Sequence, residues 1–284
     1  MDNIIFENGL TRLINAKNFM PDQVFDCGQC FRFDKNENGR YCGVAKGRYI
    51  EVEKQNNDIL LHNCNESDYR SIFSDFFDMD FDYSAALAAF PQDEVLHKAA
   101  FFGNGIRILH QDNWEALCSF IISQNNNIPR IKGIIENMSA RFGKEIYRDG
   151  DKAYYSFPTA KALYDAGEDE IFALKTGFRA KYIFDAAKRV CENPFFLTEV
   201  SGLDTEAASE QLQLIKGVGK KVAACTLLFG FERYDSFPVD VWVKRILETY
   251  YPNERSRHFD GRYAGVAQQY LFYYERCKNN VFLS

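Results

Sequence analysis

The strongest constraint on the fold is a change of hydrophobic period near residue 97. From Gln29 to about Asn63 the chain runs as short stretches rich in β-branched and aromatic residues: Gln29-Cys-Phe-Arg-Phe33, Arg40-Tyr-Cys-Gly-Val44, Arg48-Tyr-Ile-Glu-Val-Glu53 and Asp58-Ile-Leu-Leu-His62. Polar clusters such as Asp34 to Gly39 separate them, which predicts an antiparallel meander. Beyond residue 97 apolar residues recur at three- and four-residue steps. Trp114, Leu117, Phe120 and Ile121 form one stripe, and Ile131, Ile134, Ile135, Met138 and Phe142 a second. Tyr182, Ile183, Ala186 and Val190 form a third, and Val243, Ile246, Leu247 and Tyr250 a fourth. The expected class is α+β: an antiparallel β-sheet domain over residues 1–97, packed closely on a mostly α-helical domain over residues 98–284.

Composition narrows the setting. A chain of 284 residues, 46% hydrophobic and 26% charged, suffices for a substantial core. The start Met-Asp-Asn-Ile-Ile-Phe-Glu has neither the basic segment nor the apolar run of a secretory signal, and no apolar run approaches bilayer length. An intracellular location with no membrane partner is expected. The eight cysteines then read as reduced thiols, and the single CxxC, Cys27 to Cys30, lacks a second pair to complete four zinc ligands. A formal charge of −6 argues against a protein that coats nucleic acid by bulk electrostatics. It leaves room for a local basic face built from Arg130, Lys132, Arg179, Lys181, Lys216, Lys220, Lys221, Lys244 and Arg245.

The segment Leu214-Ile-Lys-Gly-Val-Gly-Lys-Lys-Val-Ala-Ala lies between two helical stretches. Gly217 and Gly219 permit a tight hairpin whose backbone approaches another chain closely, and the following helix begins with outward-facing amides suited to a phosphate. A plain glycine-capped junction explains the same residues. Nineteen residues beyond Lys221 stands Phe237-Pro-Val-Asp240-Val-Trp. Taken alone Asp240 is an ordinary N-cap, worth about 1 kcal/mol. The hairpin, a lysine in the first turn of its helix and an aspartate heading the next helix carry more together than apart.

That combination, Leu214 to Cys225 with Pro238-Val-Asp240, resembles the helix-hairpin-helix, Gly/Pro-Asp signature of base-excision DNA glycosylases. The resemblance implies Lys221 as the amine nucleophile of the members that also cleave the strand. It implies Asp240 as the carboxylate that stabilises positive charge on the sugar and helps deprotonate the amine. The positive end of the helix macrodipole disfavours an ammonium at Lys221 and favours a carboxylate at Asp240. Gly217, Gly219 and Lys220 would contact phosphate.

Three more segments extend the resemblance to the 8-oxoguanine DNA glycosylase branch over nearly the whole chain, implying a TBP-like sheet domain beside the helix-hairpin-helix domain. In Asp112 to Arg130, Asn125 would fill the gap left by an extruded nucleotide, and Arg130 with Arg179 would read the orphaned cytosine. Phe178 stands where the family usually has a tyrosine wedge. In Cys27-Gly-Gln-Cys-Phe-Arg-Phe, the Gly28 carbonyl would accept a hydrogen bond from the lesion's N7-H, a proton guanine lacks. In Gly261 to Phe272, Gln268 would bond the Watson–Crick edge, and Phe272 with Cys225 would sandwich the base. On residue patterns alone, each segment is equally a turn, a cap or a core helix. Two positions depart from the family: Trp242 replaces a phosphate-contacting histidine and Lys216 a proline.

With only Cys277 beyond Asp240, the four-cysteine iron–sulfur cluster of related branches cannot be built there. No cofactor is expected, apart from a structural cation on the carbonyls of Gln213, Ile215 and Val218. The implied function is a bifunctional glycosylase/AP lyase acting as a monomer on 8-oxoguanine in double-stranded DNA. Its implied location is with DNA, in the cytoplasm or nucleoid of a prokaryote or the nucleus of a eukaryote. The alternatives are a same-fold glycosylase for other damaged bases and a noncatalytic helix-hairpin-helix DNA-binding module.

Overall fold

A computed structural model describes residues 3–91, 93–252, 259 and 261–278. Six antiparallel strands form one sheet in the order β1-β2-β6-β5-β4-β3: β1 Ile4–Glu7, β2 Leu10–Leu13, β3 Phe33–Lys35, β4 Tyr41–Ala45, β5 Arg48–Gln55 and β6 Asp58–His62. The expected meander is present from β3 to β6, and β1 and β2 join it as an N-terminal hairpin that the sequence reading did not include. The run Gln29 to Phe33 is mostly loop, with only Phe33 in a strand.

Fourteen α-helices are described. α1 is Pro21–Asp26, α2 Glu66–Asp68, α3 Ser74–Phe76, α4 Tyr83–Ala88, α5 Glu94–Phe102, α6 Asn113–Ser123 and α7 Ile128–Phe142. α8 is Ala160–Ile171, α9 Ala180–Glu192, α10 Phe196–Ser201, α11 Thr205–Gln213, α12 Lys220–Gly230, α13 Val241–Tyr250 and α14 Ala264–Cys277. A two-stranded hairpin, β7 Glu145–Asp149 and β8 Lys152–Tyr155, interrupts the helical region. Its turn, Asp-Gly-Asp at 149–151, is a hairpin signal set inside a region whose helical period dominates.

That hairpin explains why β4 is buried on both faces. One face of the sheet packs Phe33, Tyr41, Ile50, Val52 and Leu61 against Phe73, Phe76 and Phe77. On the other, Tyr49 stacks on Tyr147 with ring centroids 4.0 Å apart, and Tyr154 closes over Cys42 and Val44. Gly43 is required here, because a Cβ would lie 2.4 Å from the Arg32 carbonyl.

The two hydrophobic cores do not change where the sequence period does. The sheet's core extends to Phe77, whereas Tyr83, Phe90 and Leu96 already belong to the helical core. In the opposite sense Cys27 and Phe31, from the loop before β3, insert into the helical core, while Leu109 joins the sheet's. The loop carrying Gly28 thus threads the seam. Cys27 and Cys30 lie in different cores as free thiols, and burial pushes each up to about 12.

Candidate active site

The hairpin is held by the helix packed beneath it. Gly217 has φ +79°, and a Cβ there would lie 2.4 Å from the Tyr182 ring, so the chain passes directly over that ring only because position 217 is glycine. Asp185 Oδ2 accepts the Lys216 amide hydrogen at 2.8 Å, and Arg189 Nη2 donates to the Leu214 carbonyl at 3.1 Å. Tyr182, Asp185 and Arg189 occupy successive turns of α9, so one helix face fixes the turn. Gly219 then starts α12 as an exposed N-cap with open space around it, and Lys220 is exposed beside it.

Lys221 is the second residue of α12. Its Nζ donates to Ser123 Oγ at 3.1 Å and lies 5.5 Å from the Phe120 ring centroid, so the end of α6 receives the amine. Asp240 caps α13, with Oδ1 accepting the Val243 amide hydrogen at 2.8 Å. The capping role and a place in the site therefore coexist, since Asp240 also lines the cavity entered by Lys221.

That cavity, about 460 Å³, brings together every residue expected to hold or attack the base: Gly28, Lys221, Cys225, Asp240, Gln268 and Phe272. They come from a loop at the sheet seam and from α12, α13 and α14. Burial pushes the Cys225 thiol up, opposed by the nearby Lys221 charge and reinforced by that of Asp240. Gln268 is 4% exposed, and its buried Oε1 has no hydrogen-bond partner among the described residues. Such an orphan acceptor costs about 1–3 kcal/mol unless a ligand satisfies it. Trp242 also lines the cavity, under the Arg245 guanidinium at 5.1 Å.

Two glutamines unnoticed in the sequence position the Gly28 loop. Gln29 is fully buried: Nε2 donates to the carbonyls of Val24 and Arg107, at 2.9 and 2.8 Å, and Oε1 accepts from the Leu109 amide at 2.9 Å. Gln269 Nε2 donates to the Cys27 carbonyl at 2.9 Å from the other side. Between these anchors Gly28 adopts φ +81°. The available signal was a glutamine adjoining each of the two residues expected to hydrogen-bond the base, Gln29 after Gly28 and Gln269 after Gln268.

The remaining expected residues gather outside the cavity. Asn125 is exposed with φ +47°, immediately after α6, and Phe178 is 48% exposed in a short 3₁₀ turn over Tyr182. Arg130 is exposed and reaches the Lys175 carbonyl at 3.3 Å. Arg179, expected to read the orphaned cytosine with Arg130, is buried in this structure. It is 2% exposed, with Nε on the Gln124 carbonyl at 2.9 Å, Nη2 on that of Asn125 at 2.9 Å and Nη1 on that of Thr176 at 3.1 Å. Burial and the Arg130 charge push its pKa down. In this state Arg179 fastens the Asn125 turn from below, and presenting its donors to a base requires those carbonyl bonds to open.

Residues 12–117 match the 8-oxoguanine DNA glycosylase N-terminal domain, and residues 118–259 match the HhH-GPD superfamily base excision DNA repair proteins. The chain belongs to the HhH-GPD superfamily. Within it, similarity reaches 30% identity over 229 residues to a probable N-glycosylase/DNA lyase of Methanothermobacter thermautotrophicus, covering 70% of this chain and 72% of that one. A yeast N-glycosylase/DNA lyase is 36% identical over 172 residues, 57% of this chain and 45% of the relative, so the match spans less than half of that protein. Among solved structures, the Clostridium acetobutylicum 8-oxoguanine glycosylase/lyase, in complex with double-stranded DNA containing cytosine opposite 8-oxoG, superposes with a TM-score of 0.92. Its sequence is 39% identical, over 98% of this chain and 99% of that one. The HhH-GPD match contains the hairpin of α11 and α12 and the Asp240 cap, and the N-terminal-domain match contains β3 to β6 of the sheet.

Proposed function

We propose that this chain is a bifunctional DNA glycosylase/AP lyase of base excision repair that flips 8-oxoguanine out of duplex DNA, excises it and cleaves the strand. The observation that carries the reading is the cavity in which an amine, a carboxylate and an orphan amide oxygen converge from different elements. Flipping a nucleotide costs a few kcal/mol, which stacking between Phe272 and Cys225 and bonds to Gln268 and Gly28 offset. Gln268 Oε1 accepts from the N–H groups of the Watson–Crick edge, and the Gly28 carbonyl accepts N7-H. Guanine would set its N7 lone pair against that carbonyl, leaving an acceptor facing an acceptor.

In the reaction, the Lys221 nitrogen forms a bond to C1′ as the C1′–N9 bond breaks, and its electron pair leaves with the base. Asp240 stabilises positive charge on the sugar, the departing base takes up a proton from solvent, and one proton from the nitrogen passes to O4′ as the ring opens to a protonated Schiff base. Removal of a C2′ proton then expels the 3′ phosphate by β-elimination, and water releases the enzyme. Asn125, Arg130 and Phe178 face the gap and the opposite strand in this reading, and Arg179, buried beneath the Asn125 turn, reaches the opposite base as its carbonyl bonds open. Gly217, Gly219 and Lys220 approach a phosphate. A cation on the carbonyls of Gln213, Ile215 and Val218 fits the hairpin. Among the described residues the Gln213 and Val218 carbonyls accept no hydrogen bond, and that of Ile215 accepts only from Val218, at 3.0 Å. No iron–sulfur cluster or other cofactor enters this scheme. We place the protein inside the cell with DNA, as a monomer. Among the described residues no helix is long and apolar enough to cross a membrane.

Borohydride reduction during turnover on duplexes carrying 8-oxoguanine, 3-methyladenine or uracil tests the reading. A trapped protein–DNA adduct with the first duplex, absent in Lys221→Gln, is expected. Preferential release of another base would overturn the substrate, and no adduct with the wild type would overturn the lysine chemistry.

A further inference from the structure

Among the described residues three charged side chains line the cavity: Lys221, Asp240 and Arg276. The chemistry above uses the first two and leaves the third without a role. Arg276 lies one turn beyond Phe272 on α14 and shares its face. A Cβ on Gly28 would sit 3.3 Å from Arg276 Nη1 and 3.4 Å from Phe272 Cε1, so guanidinium, glycine and ring form one corner of the cavity. The guanidinium carbon is 6.0 Å from the Phe272 ring centroid. Among the described residues its one hydrogen bond is long, from Nη1 to the Asp26 carbonyl at 3.4 Å. A guanidinium has five donors in a fixed fork, so most of this one's capacity is unspent.

We propose that Arg276 is a specificity-determining residue that donates a hydrogen bond to the C8 oxygen of the flipped base, an inference that rests on the 8-oxoguanine reading. Oxidation changes guanine at two adjacent atoms: N7 gains a proton, and C8 exchanges its hydrogen for a carbonyl oxygen. With N7-H on the Gly28 carbonyl and the base stacked on Phe272, the C8 edge faces the corner where Arg276 stands. Carbonyl and guanidinium then form an acceptor and donor pair that reads both changes together. Guanine offers the reverse, a lone pair toward the carbonyl and an apolar C–H toward the cation. The contact also tightens during the reaction. As the C1′–N9 bond breaks, negative charge spreads from N9 onto the C8 oxygen, where a fixed cation stabilises it more than in the ground state.

The test uses the full chain with Arg276→Leu and Arg276→Lys on two duplexes, one with 8-oxoguanine opposite cytosine and one with a preformed abasic site opposite cytosine. Single-turnover rates give the ratio of base excision to abasic-site cleavage. The ratio is expected to fall roughly tenfold or more in Arg276→Leu, and less in Arg276→Lys, which keeps the charge. An unchanged ratio, or a parallel fall on both duplexes such as a lost phosphate contact or a damaged pocket produces, would refute the proposal. A wild type that cleaves the abasic duplex yet leaves 8-oxoguanine in place would overturn the lesion assignment and the C8 contact with it.

Discussion

The cavity and the Asn125 turn are neighbours on α6, yet they are built in opposite ways. The cavity is assembled from segments more than 200 residues apart, with Gly28 braced by Gln29 and Gln269, and Gln268 and Phe272 supplied by α14. Its geometry is set before a base arrives. The Asn125 turn is local and exposed at its tip, and it rests on a buried side chain, Arg179, bonded to the carbonyls of Gln124 and Asn125. A preformed pocket suits chemistry, which depends on near-attack geometry, whereas a local turn exposed at its tip suits insertion into a duplex. Substitutions in the cavity should therefore act on rate, and those in the turn on binding and on the choice of opposite base.

The largest effect falls on Lys221→Gln, which should lower strand cleavage by about 10³-fold or more while DNA binding persists. Stopped turnover together with lost binding would count against this division. Asp240→Asn retains an N-cap oxygen for Val243, so the melting temperature should hold while base excision falls on the order of 10²-fold. Parallel loss of stability and rate would mean that the cap is its main role.

Glu115, on the helix shared by both regions, offers a pH test. Burial raises its carboxyl to about 7, opposed by Arg32 with Nε 3.8 Å away. The folded state therefore holds a proton that the unfolded chain releases near the ordinary carboxyl value of about 4.3. Stability falls as pH rises through this window, to a limit of about 4 kcal/mol above pH 7. Glu115→Gln should flatten melting temperature against pH between 5 and 8, and a wild-type curve that rises over that range would contradict the assignment. Gly217→Ala places a methyl against the Tyr182 ring at positive φ, and should cost about 1–2 kcal/mol and weaken binding to abasic duplexes. Equal binding by the variant would free the hairpin from its proposed phosphate contact. The smallest effect belongs to Arg130→Ala. It should leave excision opposite cytosine within a few-fold and narrow the preference over other opposite bases, measured by excision rates with all four.

Much of this was legible in the residues because the informative features are local. Periodicity placed β4, β5, β6 and the amphipathic faces of α6, α7, α9 and α13. Gly217, Lys221 and Asp240 sit at helix ends, where few residue types satisfy the backbone. The β7–β8 hairpin escaped because a strong turn lay inside a helical region, and its tyrosines show their purpose only against Tyr49. Arg179 was expected to read the orphaned cytosine because sequence reveals charge without burial, and burial depends on carbonyls more than 50 residues away.

The sequence by itself determined the α+β division, the hairpin, and the pairing of a lysine with a capping aspartate, since each follows from local backbone and side-chain chemistry. Only the tertiary structure decided that Gly28 and Gln268, 240 residues apart, line one cavity with Lys221. It alone left Gln268 Oε1 unpartnered among the described residues and set Arg276 at the corner beside Gly28. Which polar groups remain unsatisfied depends on what every other segment has already bonded, and no single stretch of chain records that.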